Sequence, residues 1–450
     1  MTPNQSLEQS NRIREYLRAD YLQGLYSVFP YEVIEKHDLT GTRDRIYSCE
    51  NTILTMIYSA TQADKSLQNA VTIFGEIYKK HSSRVIREAE SSLELEKKED
   101  LENHQVRRGP KKKYKLKISK SATSVVSSNT AAYSKARTRI DINLLMEIFK
   151  KTRENPDSKD SWHGRKTYIT DGTYVQMQDT KELREIYEAK CNDEENPEGY
   201  PHALVQAIIE QGSGFIYDFA LSSRRVSELS LIYGLLDSIP KACLLLADDL
   251  YNCYAIFAMA RKHGFDLIVP GKRMRNYTVK ETIADGDEII ELKKTRHPKW
   301  LPKGELLPKT LLLRRISFLS SNGAQTSVIY TTLLDKNIPK CDIIVKYFTR
   351  WDIEITIREV KTIMDINILR GKTDDIVRKE LVAAFIAYNL IRKLIMQSTE
   401  ETAFSPKTDI IQEFFENNKE VLIDRKGRVY TRWSSGRYGK VESENRGTHH

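Results

Sequence analysis

The chain has 450 residues, too many for one ordinary core, so roughly two to four domains, or one large domain with insertions, are expected. Hydrophobic residues make up 40% of it and charged residues 30%, which excludes a largely disordered chain and fits a globular, soluble one. Lys and Arg number 71 against 62 Asp and Glu, a formal net charge of +9, a balance suited to a polyanionic partner.

The first twenty residues are polar and charged and lack the apolar core of a signal peptide. The most apolar helical stretch, ELVAAFIAYNLIRKLIM at 380–396, is broken by Asn389, Arg392 and Lys393. It is short for a span and reads as a buried helix, so a cytoplasmic, non-membrane protein is expected. Cys49, Cys191, Cys243, Cys253 and Cys341 form no CxxC pair and have no His at zinc-ligand spacing, and they read as reduced thiols.

In chain order, helical spacing runs through 48–95, making 1–95 an all-helical region and the expected source of DNA base contacts. The stretch 106–120, VRRGPKKKYKLKISK, holds eight Lys and Arg and no acid. Within a flexible linker at 96–130 it reads as an arm for DNA phosphates, with Arg107, Arg108, Lys111, Lys112 and Lys113 as contacts, or as a solubilising linker. Helices resume at 131–162 as a connector, ended by the patch ENPDSKDSWHG. From 163 to 264 three strand-like runs, RKTYITDGTYVQMQ, HALVQAIIEQGSGFIYDFALSS and KACLLLAD, are combined with helical segments at 225–238 and 251–263, which points to an α/β layered domain. A β-rich insertion follows at 265–332, then two or more helices at 341–365 and 374–397 within 333–398, and a polar, basic tail at 399–450.

Two acids close predicted strands, where the side chains of α/β sheets commonly form sites: Asp171 in YITDGTY and Asp248 in CLLLADDLY. Either alone reads first as a turn cap, and Asp179 and Asp249 compete with them. Further along, YFTRWDIEITIREVK at 347–361 places Tyr347, Arg350, Glu354, Arg358 and Lys361 on one helical stripe about 80° wide, with Ile353, Ile357 and Val360 behind it. The stripe is either a solvated face with ordinary ion pairs or a carboxylate among cations built to meet an anion. Three carboxylates from two strands and a helix could hold one or two Mg²⁺ ions for phosphodiester cleavage. Trp300, the Trp of the β-rich region, is a candidate base-stacking residue or an ordinary buried aromatic.

The spacing Tyr347, two residues, Arg350, three residues, Glu354, six residues, Lys361 resembles the Y(2)R(3)E(6)K signature of the DDE transposases of insertion-sequence family four. NTAAYSKAR at 129–137, DGTYVQMQDT at 171–180, LLLADDLYNCY at 244–254 and RWDIEITIREVKTIMDINILRGKT followed by VRKELVAAFIAYNLIR are similar to further segments of that family. Together they cover roughly 45–398. The resemblance implies an α/β, RNase-H-like catalytic core interrupted by an inserted β-rich domain and preceded by a helical region. Its metal-binding and catalytic triad would be Asp171, Asp248 and Glu354, with two Mg²⁺ or Mn²⁺ ions. Tyr251, three residues after Asp248, fits the family pattern, whereas Asp249 stands where many relatives carry Arg. Tyr347, Arg350 and Lys361 would hold phosphates at the transposon end, near an extruded base, and Arg358 joins them by helical phase. The implied activity is cut-and-paste transposition through strand hydrolysis, hairpin formation and resolution, and strand transfer. Its partner is double-stranded DNA, both terminal inverted repeats and target, bound by a dimer in a synaptic complex in a bacterial cell. An inactive DNA-binding derivative and a general metal-dependent nuclease are the alternatives.

Overall fold

The computed structural model describes residues 28–37, 45–62, 64–103, 126–154, 161–187, 199–271, 276–319, 326–351, 366–399, 421–423, 429–432 and 438–440. They divide into two units, Met1–Thr152 with Ile363–Leu390, and Arg153–Thr362 with Ile391–His450. Among the described residues no helix is long and apolar enough to cross a membrane.

The first unit is helical: α1 Tyr31–Lys36, α2 Cys49–Thr61, α3 Leu67–Asn103, α4 Ala131–Arg139 and α5 Ile142–Thr152, with most of the long helix Asp374–Thr399. Ser48 starts α2 by accepting the Asn51 N–H on its hydroxyl at 3.1 Å. Ile53, Met56, Ile57 and Ala60 then fall on one buried face at helical spacing. Tyr47 joins this core to its neighbours, its ring centroid 4.8 Å from Phe74 and 5.5 Å from Tyr133. Helix α3 continues to Asn103, past the point where the sequence suggested a linker. Its last stretch, rich in Glu, Lys and Leu, has high helix propensity although its charge pattern looks like a solvated spacer. In the long helix Leu381–Leu390 is a buried run, and buried Asn389 points its amide at Thr152 Oγ1, 3.4 Å away.

In the second unit the strands are β1 Thr167–Gln176, β2 His202–Glu210, β3 Ile216–Ser223, β4 Leu244–Leu246, β5 Asp266–Pro270, β6 Tyr277–Ala284, β7 Asp287–Lys293, β8 Thr310–Leu319 and β9 Thr326–Thr331. They form one sheet in the order β3-β2-β1-β4-β5-β9-β8-β7-β6. Strands β1, β2 and β3 make an antiparallel meander, and β4 and β5 run parallel to β1. Helices α6 Lys181–Tyr187, α7 Glu228–Leu235, α8 Tyr254–His263 and α9 Lys340–Phe348 complete this unit, and α10 is the Asp374–Thr399 helix. Alternation along the strands sends Ile169, Leu246, Ile268 and Ile329 to one face, where Ile343 of α9 packs. Tyr168, Leu245, Leu267 and Tyr330 go to the other, where α7 and α8 pack.

Three expectations change. The β-rich region is not a separate sheet: β5 pairs with β4, and β9 pairs antiparallel with β5, so β6–β9 extend the sheet that carries β1. The turn signals in VPGK suggested a boundary just where the sheet continues. Of the helix read over 341–365, the described part is α-helical to Phe348 and a 3₁₀ turn at Thr349–Trp351, and 352–365 lie outside the described residues. Thr349 Oγ1 donates to Lys346 O at 2.7 Å there; a 3₁₀ turn brings residues three apart into line, and Arg350 stays hydrogen-bonded to Tyr347. The tail holds three short antiparallel strands, β10 Val421–Ile423, β11 Val429–Arg432 and β12 Tyr438–Lys440.

A buried ion pair ties the extended part of the sheet to the segment before α9. Arg314 of β8 reaches Asp287 of β7 with Nε at 2.8 Å and Nη2 at 2.6 Å. Its Nη1 donates to the carbonyls of Asp335 and Ile338 at 2.8 and 2.9 Å. With side-chain exposures of 1% and 3%, neither charge has water to fall back on. Arg314→Leu should therefore cost about 3–5 kcal/mol in urea unfolding, and the double change Arg314→Leu with Asp287→Leu should recover much of it. A loss below about 1 kcal/mol for the single variant would show that the pair does not hold this segment.

Candidate active site

The site begins with a register. Parallel pairing sets Ile169 of β1 opposite Leu246 of β4, and two residues beyond each lie Asp171 and Asp248. The chain stays extended there: Ala247 N–H donates to Ile268 O at 3.2 Å, and Asp248 has extended φ and ψ. Asp171 thus shares the face of Ile169, Asp248 follows Leu246 by the same two-residue step, and both lie near enough to Glu228 to act on its charge. Both are half-buried. Asp171 Oδ1 accepts the Gly172 N–H at 2.8 Å. Asp248 caps the 3₁₀ turn Asp249–Tyr251, its Oδ1 accepting the Leu250 N–H at 2.9 Å.

This register separates Asp248 from its competitors. Asp249 lies inside the 3₁₀ turn, with Asn252 Nδ2 3.5 Å away. Asp179 is committed to Arg184, whose Nη2 donates to it at 2.7 Å.

A third acid, not singled out in the sequence, stands beside them. Ser227 caps α7 by accepting the Ser230 N–H at 3.2 Å, and Glu228 in the first turn lies against the bare Cα of Gly172. A Cβ built on Gly172 would fall 2.8 Å from Glu228 Cδ and 2.9 Å from Oε1. Burial first, then the charges of Asp171 and Asp248, push the Glu228 carboxyl above its ordinary range. Beneath it, buried Gln206 donates from Nε2 to Thr170 Oγ1 and to the Tyr251 hydroxyl, both at 2.7 Å. Tyr251 thus braces the floor of the site. An acid in the first turn of a helix is ordinary dipole complementation, so Glu228 carries little signal alone; the glycine after Asp171 was the clue to a close approach.

From α9, half-buried Tyr347 packs on the core face that carries Asp171 and Asp248. Burial raises its hydroxyl pKa, the charge and hydrogen bond of Arg350 oppose that, and Asp248 and Asp249 add to it. Arg350 is itself only 8% exposed, a cation fixed within the protein rather than on a solvated stripe. Asp171, Asp248, Glu228, Tyr347 and Arg350 are thus brought to one place. Glu354, Arg358 and Lys361 lie outside the described residues, as do Arg107, Arg108, Lys111, Lys112 and Lys113. Trp300 is partly buried against the core of the α7 and α8 face, the placement of a packing aromatic. Among the described residues no three His, Cys, Asp or Glu side chains are close enough to hold a metal. The two aspartates supply hard oxygen donors of the kind Mg²⁺ and Mn²⁺ take, and so fit part of such a centre.

The Glu228 environment sets a pH dependence. Its folded pKa lies above its unfolded value, so in the window between them the native state holds a proton that the unfolded chain has lost, and stability falls as pH rises through it. Glu228→Gln should raise Tm at neutral pH in chelator-treated buffer, and the gain should vanish once pH drops below the carboxylate range. A gain independent of pH would point to packing instead of charge.

The transposase DDE domain family model matches residues 162–390, just over half of the chain. In Escherichia coli (strain K12), the transposase InsG for insertion sequence element IS4 is 24% identical over 280 residues, 60% of this chain and 62% of that protein. The putative transposase InsZ of the same organism is 25% identical over 177 residues, 38% of this chain and 56% of that one. The chain therefore spans less than two thirds of the length of either relative. A piggyBac transposase solved by cryo-EM in a synaptic complex with hairpin DNA aligns over 92% of this chain and 86% of that chain, at 9% identity and a TM-score of 0.34, too low to argue from. The family match runs from the residues before β1 into α10 and takes in Asp171, Glu228, Asp248, Tyr347 and Arg350: the chain belongs to the DDE transposase family.

Proposed function

We propose that this chain is a metal-dependent DNA transposase that moves an insertion sequence by cut and paste, and that the second unit is an RNase-H-like core. The strand order β3-β2-β1-β4-β5, with β4 and β5 parallel to β1, supports the fold reading. The observation that carries the functional reading is the register that sets Asp171 and Asp248 side by side, with Tyr347 and Arg350 at the same place.

Asp171, Asp248 and Glu354 would hold the metal, two Mg²⁺ or Mn²⁺ ions in this reading. Bound there, the ions supply charge neutralisation and an activated water for in-line displacement at phosphorus. Arg350, fixed by burial, offers a preorganised positive charge to the phosphate, and Tyr347 a hydroxyl donor. Lys361, Arg358 and the basic run from Arg107 to Lys113 fit backbone contacts that position DNA without reading its sequence. Water cuts one strand at each element end, and the freed 3′-OH attacks the opposite strand to close a hairpin. A second water reopens the hairpin, and the released 3′-OH joins target DNA. Paired terminal inverted repeats call for a dimer in the synaptic complex.

The test is joining of a pre-cleaved element end to plasmid DNA by the purified chain with Mg²⁺ or Mn²⁺. Asp171→Ala, Asp248→Ala and Glu354→Ala should each lower the rate by about 10³-fold, equivalent to the several kcal/mol of charge stabilisation a metal supplies. Arg350→Glu should impair the hairpin steps while Mn²⁺ binding, followed by calorimetry, stays near wild type. Full activity in all three alanine variants sinks the enzyme reading. Specific end binding by wild type without joining would favour an inactive derivative, and cutting of any duplex regardless of end sequence would favour a general nuclease.

A further inference from the structure

Strand β1 does not stop at Asp171. Three residues on, about 10 Å along the strand, Tyr174 stands on the same face as Gly172 with 48% of its surface exposed. A large ring left open on a strand is uncommon, and this one is partly covered by a single group: the Arg224 guanidinium, 5.5 Å from the ring centroid. Arg224 is exposed, and among the described residues no carboxylate forms an ion pair with it.

The connection from β3 to α7 produces this pairing. After Ser223 the chain places Arg224 over Tyr174, and four residues later it places Glu228 against Gly172. One short loop therefore lies along two successive same-face positions of β1, which are about 7 Å apart. The acid is beside Asp171 and the cation farther out. Left to itself an exposed Arg–Tyr pair contributes little to stability. A guanidinium over a ring keeps its N–H edge directed outward, the geometry that takes a phosphate through two parallel hydrogen bonds. The open part of the ring offers a stacking surface to any base.

We propose that Tyr174 and Arg224 form a nucleotide contact on the DNA strand that enters the site, about three base steps from the scissile phosphate at the 3.4 Å spacing of a duplex strand. Arg224 takes a backbone phosphate and Tyr174 stacks on the adjoining base. The contact rests on the transposase reading and deepens it, since it carries the substrate strand from Asp171 around the edge of β1 to the face of Tyr174.

The experiment uses end-sequence duplexes with 2-aminopurine at successive positions near the cleavage site, titrated with the full chain. Wild type should change the fluorescence most at one position two to four nucleotides from the cut. Tyr174→Ala should abolish that change and weaken binding about tenfold, whereas Tyr174→Phe, which keeps the ring, should preserve both. Arg224→Ala should also weaken binding about tenfold and reduce the slope of log K against log salt by about 1. Arg224→Lys should keep the salt slope and lose part of the affinity, because an ammonium cannot form the paired contact. If wild type binds and joins ends while Tyr174→Ala and Arg224→Ala match it in affinity and salt slope, the contact is wrong and the transposase reading stands. If wild type neither binds nor joins ends, the transposase reading fails, and this contact with it.

Discussion

The parallel pairing of β1 with β4 is the constraint on which the second unit depends. Two like charges do not settle near one another unless something else fixes the strands, and here the fixing is apolar. Ile169 and Leu246 lock one face, Tyr168 and Leu245 the other, and both layers are covered by helices. A slip of one residue in either strand would send an aspartate to the opposite face and a core residue to the site. The burial that keeps Asp171 and Asp248 in register is worth more than their mutual repulsion, at roughly 1.5–3 kcal/mol for each large apolar side chain removed from water.

The same arrangement concentrates unfavourable electrostatics. Glu228 adds a third carboxyl beside the pair, its pKa raised first by burial and then by the charges of Asp171 and Asp248. Arg350 stands on the side of Tyr347 and Asp248. Gln206, bonded to Thr170 and to the Tyr251 hydroxyl, fixes the core beside these acids. Local charge repulsion is commonly retained where function uses it, and the surrounding packing offsets it.

How much of this was legible in the sequence differs by residue. Asp248 was expected at a strand end and follows β4, whereas Asp171, also expected at a strand end, lies inside β1 because the strand runs on through Gly172 to Gln176. Tyr347 was assigned correctly to a helix with Arg350 on its side, and the two remain hydrogen-bonded although the backbone between them tightens from α to 3₁₀. Periodicity alone left the stripe open between a solvated face and an anion-meeting site, and the burial of Arg350 had no local signal. The union of β5 with β9 was hidden because pairing between distant strands leaves no local pattern. Glu228 was hidden because its contact with Gly172 spans more than fifty residues and its local setting is that of a helix cap.

The two faces of β1 divide the work of the site between them. Odd-numbered Asp171 points toward α9, where Tyr347 and Arg350 wait, so the face that packs on Ile343 is the face on which phosphate charge would be met. Even-numbered Gly172 and Tyr174 point to the side of α7, where the loop from Arg224 to Glu228 runs alongside them. A glycine is required at the first of these positions because the Glu228 carboxylate occupies the space of a side chain. No such restriction applies at the second, where a full aromatic ring reaches solvent. One strand with period-two alternation can thus carry acid and cation chemistry on one side and the support of that acid on the other. Because β1 outruns β4 by several residues, no strand among the described residues pairs with its far end on the β4 edge.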